Sequence, residues 1–177
     1  PSYDSKAMIG YAYSNDKDNL YLTIETGDEM TQLKILKGGL TVWIDTSGKK
    51  EQTTAIHFPL ENTNELSGLY GSKKETQYGE RVAGENDNTG MGKGIQQRIK
   101  RAIGEATQMT LDGFDGCNGG FAAKQTNDCG IVVRIGIDQY NELIWEASIP
   151  FKALYNKAQL GQSDQGKPIS ICFAIKG

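Results

Sequence analysis

Residues 40–60 read LTVWIDTSGKKEQTTAIHFPL, two apolar runs on either side of a polar centre. Apolar and polar side chains alternate in both runs, which is the pattern of a β-strand with one buried face. A register that places Val42 opposite Ile56 brings the apolar residues of both runs onto the same face. The stretch therefore predicts an antiparallel hairpin, and it favours a fold assembled from such hairpins.

The outer face of this hairpin carries the candidate ligand site. The predicted register sets Trp43 opposite Ala55 and Thr41 opposite His57, the only histidine of the chain, with Asp45 on the same face. An indole ring offers a flat apolar surface to a sugar ring, and polar neighbours can hydrogen-bond its hydroxyls. Trp43, Asp45 and His57 are therefore the predicted ligand-binding residues. The alternative is an ordinary half-exposed sheet face.

The same alternation recurs in other segments. It predicts a hairpin from residues 7–14 and 19–26, another from residues 130–138 and 142–150, and a last strand at residues 168–176. The 22 glycines suit the turns and bulges of an all-β chain. Since each hairpin has one apolar face, the set can pack into two sheets around one core.

Two segments change to helical periodicity. Asp28 can cap a short helix that ends at Gly38 and has Met30 in its apolar stripe. A second amphipathic helix is predicted at residues 95–106. Together these patterns predict an all-β fold, a single antiparallel immunoglobulin-like β-sandwich domain over residues 1–177 with two helical insertions.

The middle of the chain has little regular periodicity. Residues 61–94 are polar and glycine-rich, and they predict a long irregular excursion that precedes the second helix and a strand at residues 108–114. Residues 14–19 and 85–90 are rich in Asp and Asn, whose oxygens can coordinate calcium, although tight turns favour the same residues. The sequence leaves these two alternatives open.

Three cysteines bear on the compartment. Cys117 and Cys129 flank a glycine-rich stretch, and a disulfide between them would close a 13-residue loop that contributes about 3 kcal/mol. The alternative is two unpaired loop thiols in a cytoplasmic protein. Cys172 lies in an apolar strand pattern and is predicted to be a buried free thiol. We predict no metal site, because the chain lacks a Cys/His set at zinc spacing.

Charge and hydropathy restrict the partners. The 177 residues are 23% charged with a net charge of −3, so there is no basic excess for nucleic acid. No apolar run approaches the roughly 20 residues that cross a bilayer. Because the chain begins with Pro rather than Met, we interpret it as a mature or trimmed fragment, and any lipid anchor would lie upstream.

Three stretches carry a resemblance to known families. MIGYAYSNDKDNLYLTIET (8–26) and ELIWEASIPFKAL (142–154) resemble the opening and closing segments of family 9 carbohydrate-binding modules and DOMON-type domains. GGLTVWIDTSGKKEQTTAIHFP (38–59) is similar to a variant in cell-envelope lipoproteins of Bacteroidetes. The resemblance implies an exported immunoglobulin-like β-sandwich that binds sugar or, in DOMON relatives, haem.

The ligand residues of those families carry over only in part. Active family 9 modules clamp a sugar between two tryptophans, but the predicted register puts Trp43 on the outer face and Trp145 in the core. DOMON domains bind haem through Met and His. His57 is present here, and Met8 and Met109 lie on strand-like runs, but the sequence does not indicate that either methionine lies opposite His57. We therefore expect no cofactor.

The predicted function is that of a non-catalytic exported module in the periplasm or at the cell surface. The expected partners are a carbohydrate, the leading ligand, or an envelope protein. The alternative is a structural or assembly module of a lipoprotein without a small ligand. We predict no catalytic residues: Glu142 and Glu146 could suggest a glycosidase pair, but Glu146 is expected to face Arg134 across a hairpin.

Overall fold

The computed structural model describes residues 2–61, 88–123, 127–155, 164 and 166–176. In chain order, the strands among them are β1 (Ser2–Asp4), β2 (Ile9–Asn15), β3 (Asn19–Thr26), β4 (Leu40–Asp45), β5 (Ala55–His57), β6 (Gln108–Asp112), β7 (Gly119–Ala122), β8 (Val132–Ile137), β9 (Leu143–Pro150) and β10 (Ser170–Ile175). The helices are α1 (Glu29–Gly38), α2 (Asn88–Glu105) and α3 (Phe151–Tyr155).

The strands form two antiparallel sheets of five strands each. Sheet A has the order β1-β2-β3-β9-β8, and sheet B has the order β10-β4-β5-β6-β7. Each sheet combines a sequence-local hairpin with strands from the distant end of the chain, as in β3–β9 and β4–β10. The predicted all-β antiparallel sandwich is confirmed.

The inner faces of both sheets contribute to one hydrophobic core. Trp145 of sheet A is completely buried, and its indole Nε1 donates a hydrogen bond of 2.8 Å to the carbonyl oxygen of Phe58 beside sheet B. At another point the rings of Tyr11 and Phe173 meet with centroids 5.6 Å apart. The two sheets are therefore joined by apolar packing and by the buried hydrogen bond of Trp145.

The predicted hairpin registers are confirmed. Thr41 pairs with His57, and Trp43 pairs with Ala55. In the β8–β9 hairpin the predicted pairing of an arginine with a glutamate is also present, as Arg134 with Glu146. Because the side-chain period of a strand is two, a slip of one residue would expose the apolar set, and burial of that set therefore restricts each register.

Helix α1 begins at the residue that the sequence predicts, but the face that it buries differs from the predicted apolar stripe. The side chain of Asp28 caps it by accepting from the Thr31 N–H at 2.8 Å, and hydrogen bonds from Thr31 lower the pKa of Asp28. Met30 was expected in the apolar stripe but is 49% exposed, whereas Gln32 is completely buried. The helix is turned toward Gln32 because that amide donates to the carbonyl oxygens of Thr26 and Asn141.

Several predicted boundaries differ from the structure. Strands β1 and β7 were not predicted, because one is short and exposed and the other is glycine-rich. Helix α2 begins at Asn88 rather than residue 95 and packs against α1 and β8. Most of the predicted 61–94 excursion, residues 62–87, lies outside the described residues. None of the described helices is long and apolar enough to cross a membrane.

Candidate functional site

The outer face of sheet B brings together side chains from four strands. Thr41 and Trp43 point to this face of β4, and His57 occupies the same face of β5. Two transverse rows result from the pairing of β10, β4, β5 and β6. One row is Cys172, Trp43, Ala55 and Asp112, and the other is Ala174, Thr41, His57 and Thr110.

His57 is held at both ring nitrogens. Its Nδ1 lies 2.9 Å from Thr41 Oγ1, and its Nε2 lies 2.8 Å from Asp112 Oδ2. Since a carboxylate only accepts, Nε2 carries the proton that is donated to Asp112. In the tautomer with its proton at Nε2, Nδ1 accepts from the Thr41 hydroxyl. This tautomer is inferred from the chemistry of the partners. We call the arrangement the Thr41–His57–Asp112 chain.

Asp112 is the member of this chain that the sequence reasoning missed. It ends β6, which was recognised only as a strand with no partner assigned. Continuing the hairpin register into β6 pairs Ala55 with Asp112 and His57 with Thr110. That pairing sets Asp112 one diagonal step from His57, a separation that a carboxylate can bridge.

Asp45 is predicted to bind a ligand together with Trp43 and His57, but its carboxylate instead bonds to the turn that follows β4. It is only 3% exposed, and its carboxylate accepts from the backbone N–H of Ser47 at 2.7 Å and of Glu51 at 3.1 Å. Hydrogen bonding with the Ser47 side chain, supplemented by backbone donors of the same turn, lowers the pKa of Asp45 to about 2. Its carboxylate thus stabilises the β4–β5 connection and is not brought to His57.

A cavity of 360 Å³ adjoins the Thr41–His57–Asp112 chain. Thr41, His57, Thr110, Glu61 and Lys176 are among the residues that line it. Its volume falls within the roughly 300–1,000 Å³ of small-molecule sites. The lining therefore includes residue types with hydroxyl, carboxylate and ammonium groups, and the space can hold a small ligand.

The two tryptophans have different environments, as predicted. Trp43 is half-buried on the outer face of sheet B and lies two residues along β4 from Thr41, next to the cavity without lining it. Trp145 belongs to the core of sheet A and donates to Phe58. The two rings therefore do not form a clamp around one ligand.

The disulfide joins the two cysteines named from the sequence. Cys117 and Cys129 are bridged with their Cα atoms 6.2 Å apart. Cys172 is a free thiol, but it is half-buried on the outer face rather than buried, because it pairs with Trp43 on that side of the sheet. Within the described ranges, no group of three or more His, Cys, Asp or Glu residues is arranged to hold a metal ion.

The structure also shows where the residues considered for haem and for calcium binding lie. Met109 is buried on the inner face of β6, whereas His57 lies on the outer face of the same sheet, so the two do not face a common ligand. In the 14–19 turn, Asp16 accepts from the N–H groups of Asp18 and Asn19, which lowers its pKa. Its carboxylate therefore serves the turn. In the 85–90 segment, residues 85–87 lie outside the described residues, and α2 begins at Asn88.

The Thr41–His57–Asp112 chain has the hydroxyl, imidazole and carboxylate groups of a catalytic triad, but the surroundings of the hydroxyl differ from those of a catalytic nucleophile. Thr41 is 7% exposed and lies in β4, between β5 and β10. Backbone N–H groups of an internal strand pair with the neighbouring strands, so they do not provide an oxyanion hole at the hydroxyl. The arrangement is suited to orienting a fixed imidazole at the edge of a cavity.

Comparisons with protein-family models, with curated proteins and with solved structures find no match for this chain. A function is therefore to be inferred from the geometry of the outer face of sheet B. That geometry brings together Thr41, His57 and Asp112, with Trp43 beside them and Asp45 turned away.

Proposed function

We propose that this chain is a non-catalytic, exported β-sandwich module that binds carbohydrate on the outer face of sheet B. The observation that carries the proposal is the 360 Å³ cavity bordered by Thr41 and His57, with Trp43 on the adjoining surface of the same strand. An aromatic face beside a small polar cavity matches a sugar, which has apolar ring faces and hydroxyls at its edge.

In this proposal the Trp43 ring supports one face of a sugar unit, and the cavity receives the neighbouring unit or substituent. Glu61 and Lys176 provide an acceptor and a donor for hydroxyl groups at the cavity wall. The His57 ring contributes a fixed edge, since its two nitrogens are already bonded to Thr41 and Asp112. A preorganised wall lowers the entropic cost of binding.

The non-catalytic part of the proposal is supported by the position of Thr41. Its hydroxyl is nearly covered, and the backbone donors around it belong to the ladders on both sides of β4. On the other sheet, Glu146 lies opposite Arg134 in the β8–β9 register and is exposed on the outer face rather than facing a second carboxylate in a cavity. An acyl-transfer or glycosidase mechanism has little support from these placements.

Export to the periplasm or cell surface is supported by the disulfide between Cys117 and Cys129, since such bonds persist in oxidising compartments. The resemblance of residues 8–26, 38–59 and 142–154 to family 9 carbohydrate-binding modules and DOMON-type domains agrees with this location. It also supports the immunoglobulin-like variant of the sandwich and a lipid anchor upstream of the chain as parts of the same proposal.

One observation favours a second candidate, a structural or assembly module without a small ligand. The polar groups of the predicted site are largely satisfied internally: His57 has partners at both nitrogens, and the Asp45 carboxylate bonds its own turn. A face whose polar groups are already paired gains fewer new hydrogen bonds from a ligand. An envelope protein would then be the partner.

A glycan array, followed by calorimetry on the best ligand, separates the two candidates. We expect the intact protein to bind at least one glycan and the Trp43→Ala variant to lose about tenfold or more in affinity, since an aromatic platform contributes about 1–3 kcal/mol. Tyr13→Ala is the matched control, because Tyr13 is an exposed aromatic residue on sheet A. Equal loss in both variants, or no bound glycan on the array, would favour the structural module.

A further inference from the structure

A second cavity lies beside the start of α1, whereas the cavity beside His57 includes residues at the end of that helix. It has a volume of 590 Å³ and is bordered by the residues before and at the start of α1, by α2 and by the β8–β9 turn. Glu29, Gln96, Lys100 and Tyr140 contribute side chains to its lining. It shares no lining residue with the cavity beside His57. We call it the helix–turn cavity.

The aromatic residue of the helix–turn cavity stands on a fixed turn. The Asp138 carboxylate accepts from the N–H groups of Tyr140 and Glu142, each at 2.8 Å. Helix α1 also contacts this turn, because Gln32 Nε2 donates to the carbonyl oxygen of Asn141 at 2.8 Å. Asn141 has a φ of 63°. The Tyr140 side chain is 74% exposed, so a firmly held backbone presents an open aromatic ring.

Some polar groups of the helix–turn cavity form hydrogen bonds with each other, and others lack a partner among the described residues. Gln96 Nε2 donates to Glu29 Oε1 at 2.9 Å, which fixes both side chains. Among the described residues, the buried Oε1 of Gln96 has no hydrogen-bond partner, which is an uncommon state for a polar atom. No carboxylate in the described part of the chain forms a salt bridge with Lys100.

From these groups we infer that the helix–turn cavity binds a sugar unit that carries a carboxylate, of the uronic-acid class. The ring face packs on Tyr140, and the carboxylate pairs with the ammonium group of Lys100. Ring hydroxyls donate to the Glu29 carboxylate, which Gln96 Nε2 holds in place. The volume is adequate for one or two sugar units, within the roughly 300–1,000 Å³ of ligand pockets. Binding here is independent of the site at Trp43, since the two cavities share no lining residue.

Isotope-edited NMR titration with glucuronate, glucose and alanine tests this inference. We expect glucuronate to shift the amide signals of residues 96–100 and 138–142, with glucose binding about tenfold or more weakly because it lacks the charge-assisted bond. Lys100→Gln should bring glucuronate affinity down to that of glucose, and Tyr140→Ala should weaken both sugars. Tyr13→Ala is the control and should leave all three titrations unchanged.

Several results would overturn the inference. Equal affinity for glucose and glucuronate would remove the role of Lys100, and stronger binding of alanine would identify an amino-acid site instead. Shifts absent from both segments at all accessible glucuronate concentrations would exclude the site. The Trp43→Ala variant is titrated in parallel and should keep glucuronate binding at the helix–turn cavity. This comparison separates failure here from failure of the proposal for sheet B. Circular dichroism establishes that each variant is folded.

Discussion

Replacement of Trp145 by Phe tests how the two sheets are held together. The indole is completely buried, and its Nε1 donates at 2.8 Å to the carbonyl oxygen of Phe58. Trp145→Phe removes the donor and leaves a buried acceptor unmet, which costs about 1–3 kcal/mol. The smaller ring adds a cavity term, but less than the roughly 3–5 kcal/mol of truncating Trp to Ala. We therefore expect a loss of about 2–4 kcal/mol in the free energy of unfolding.

Equilibrium unfolding in urea, followed by far-ultraviolet circular dichroism, measures this loss without relying on tryptophan fluorescence. Trp43→Phe is the matched control, because Trp43 lies half-buried on the outer face and should change the free energy of unfolding by less than about 1 kcal/mol. The m-values of both variants should match the wild type. If the two substitutions differ by less than about 0.5 kcal/mol, the assignment of Trp145 as an inter-sheet contact is wrong.

Three further predictions concern the disulfide, the β4–β5 turn and the site. Replacing Cys117 and Cys129 together by Ser should destabilise the protein by about 3 kcal/mol in urea, and an unchanged midpoint would contradict the bridge. Asp45→Asn should destabilise at pH 7. Because the lowered pKa makes the Asp45 contribution present above about 3.8 and lost toward about 2, the urea midpoints of wild type and variant should converge over that range. Thr41→Val should cost about 0.5–1.5 kcal/mol and shift the ¹⁵N resonance of His57 Nδ1, whereas an unmoved resonance would refute their hydrogen bond.

Much of the fold and part of the site could be predicted from local sequence. The alternation around Val42 and Ile56 specifies which face of the hairpin is buried, because a slip of one residue would expose the whole apolar set. The same rule assigns Trp43 to the outer face and Trp145 to the core. The cap at Asp28 is equally local, since its carboxylate reaches an amide only three residues ahead.

The tertiary structure decided what depends on strands that are distant in the chain. Asp112 reaches His57 across 55 residues, and the order of strands in sheet B, rather than any local pattern, makes them neighbours. Gln32 is buried because a carbonyl 109 residues away accepts its amide, which turns α1 away from the expected stripe. Periodicity reports which side of an element is buried, but not which partners meet it there. For this reason the sequence determined the hairpins and their faces, whereas the fold determined the Thr41–His57–Asp112 chain and both cavities.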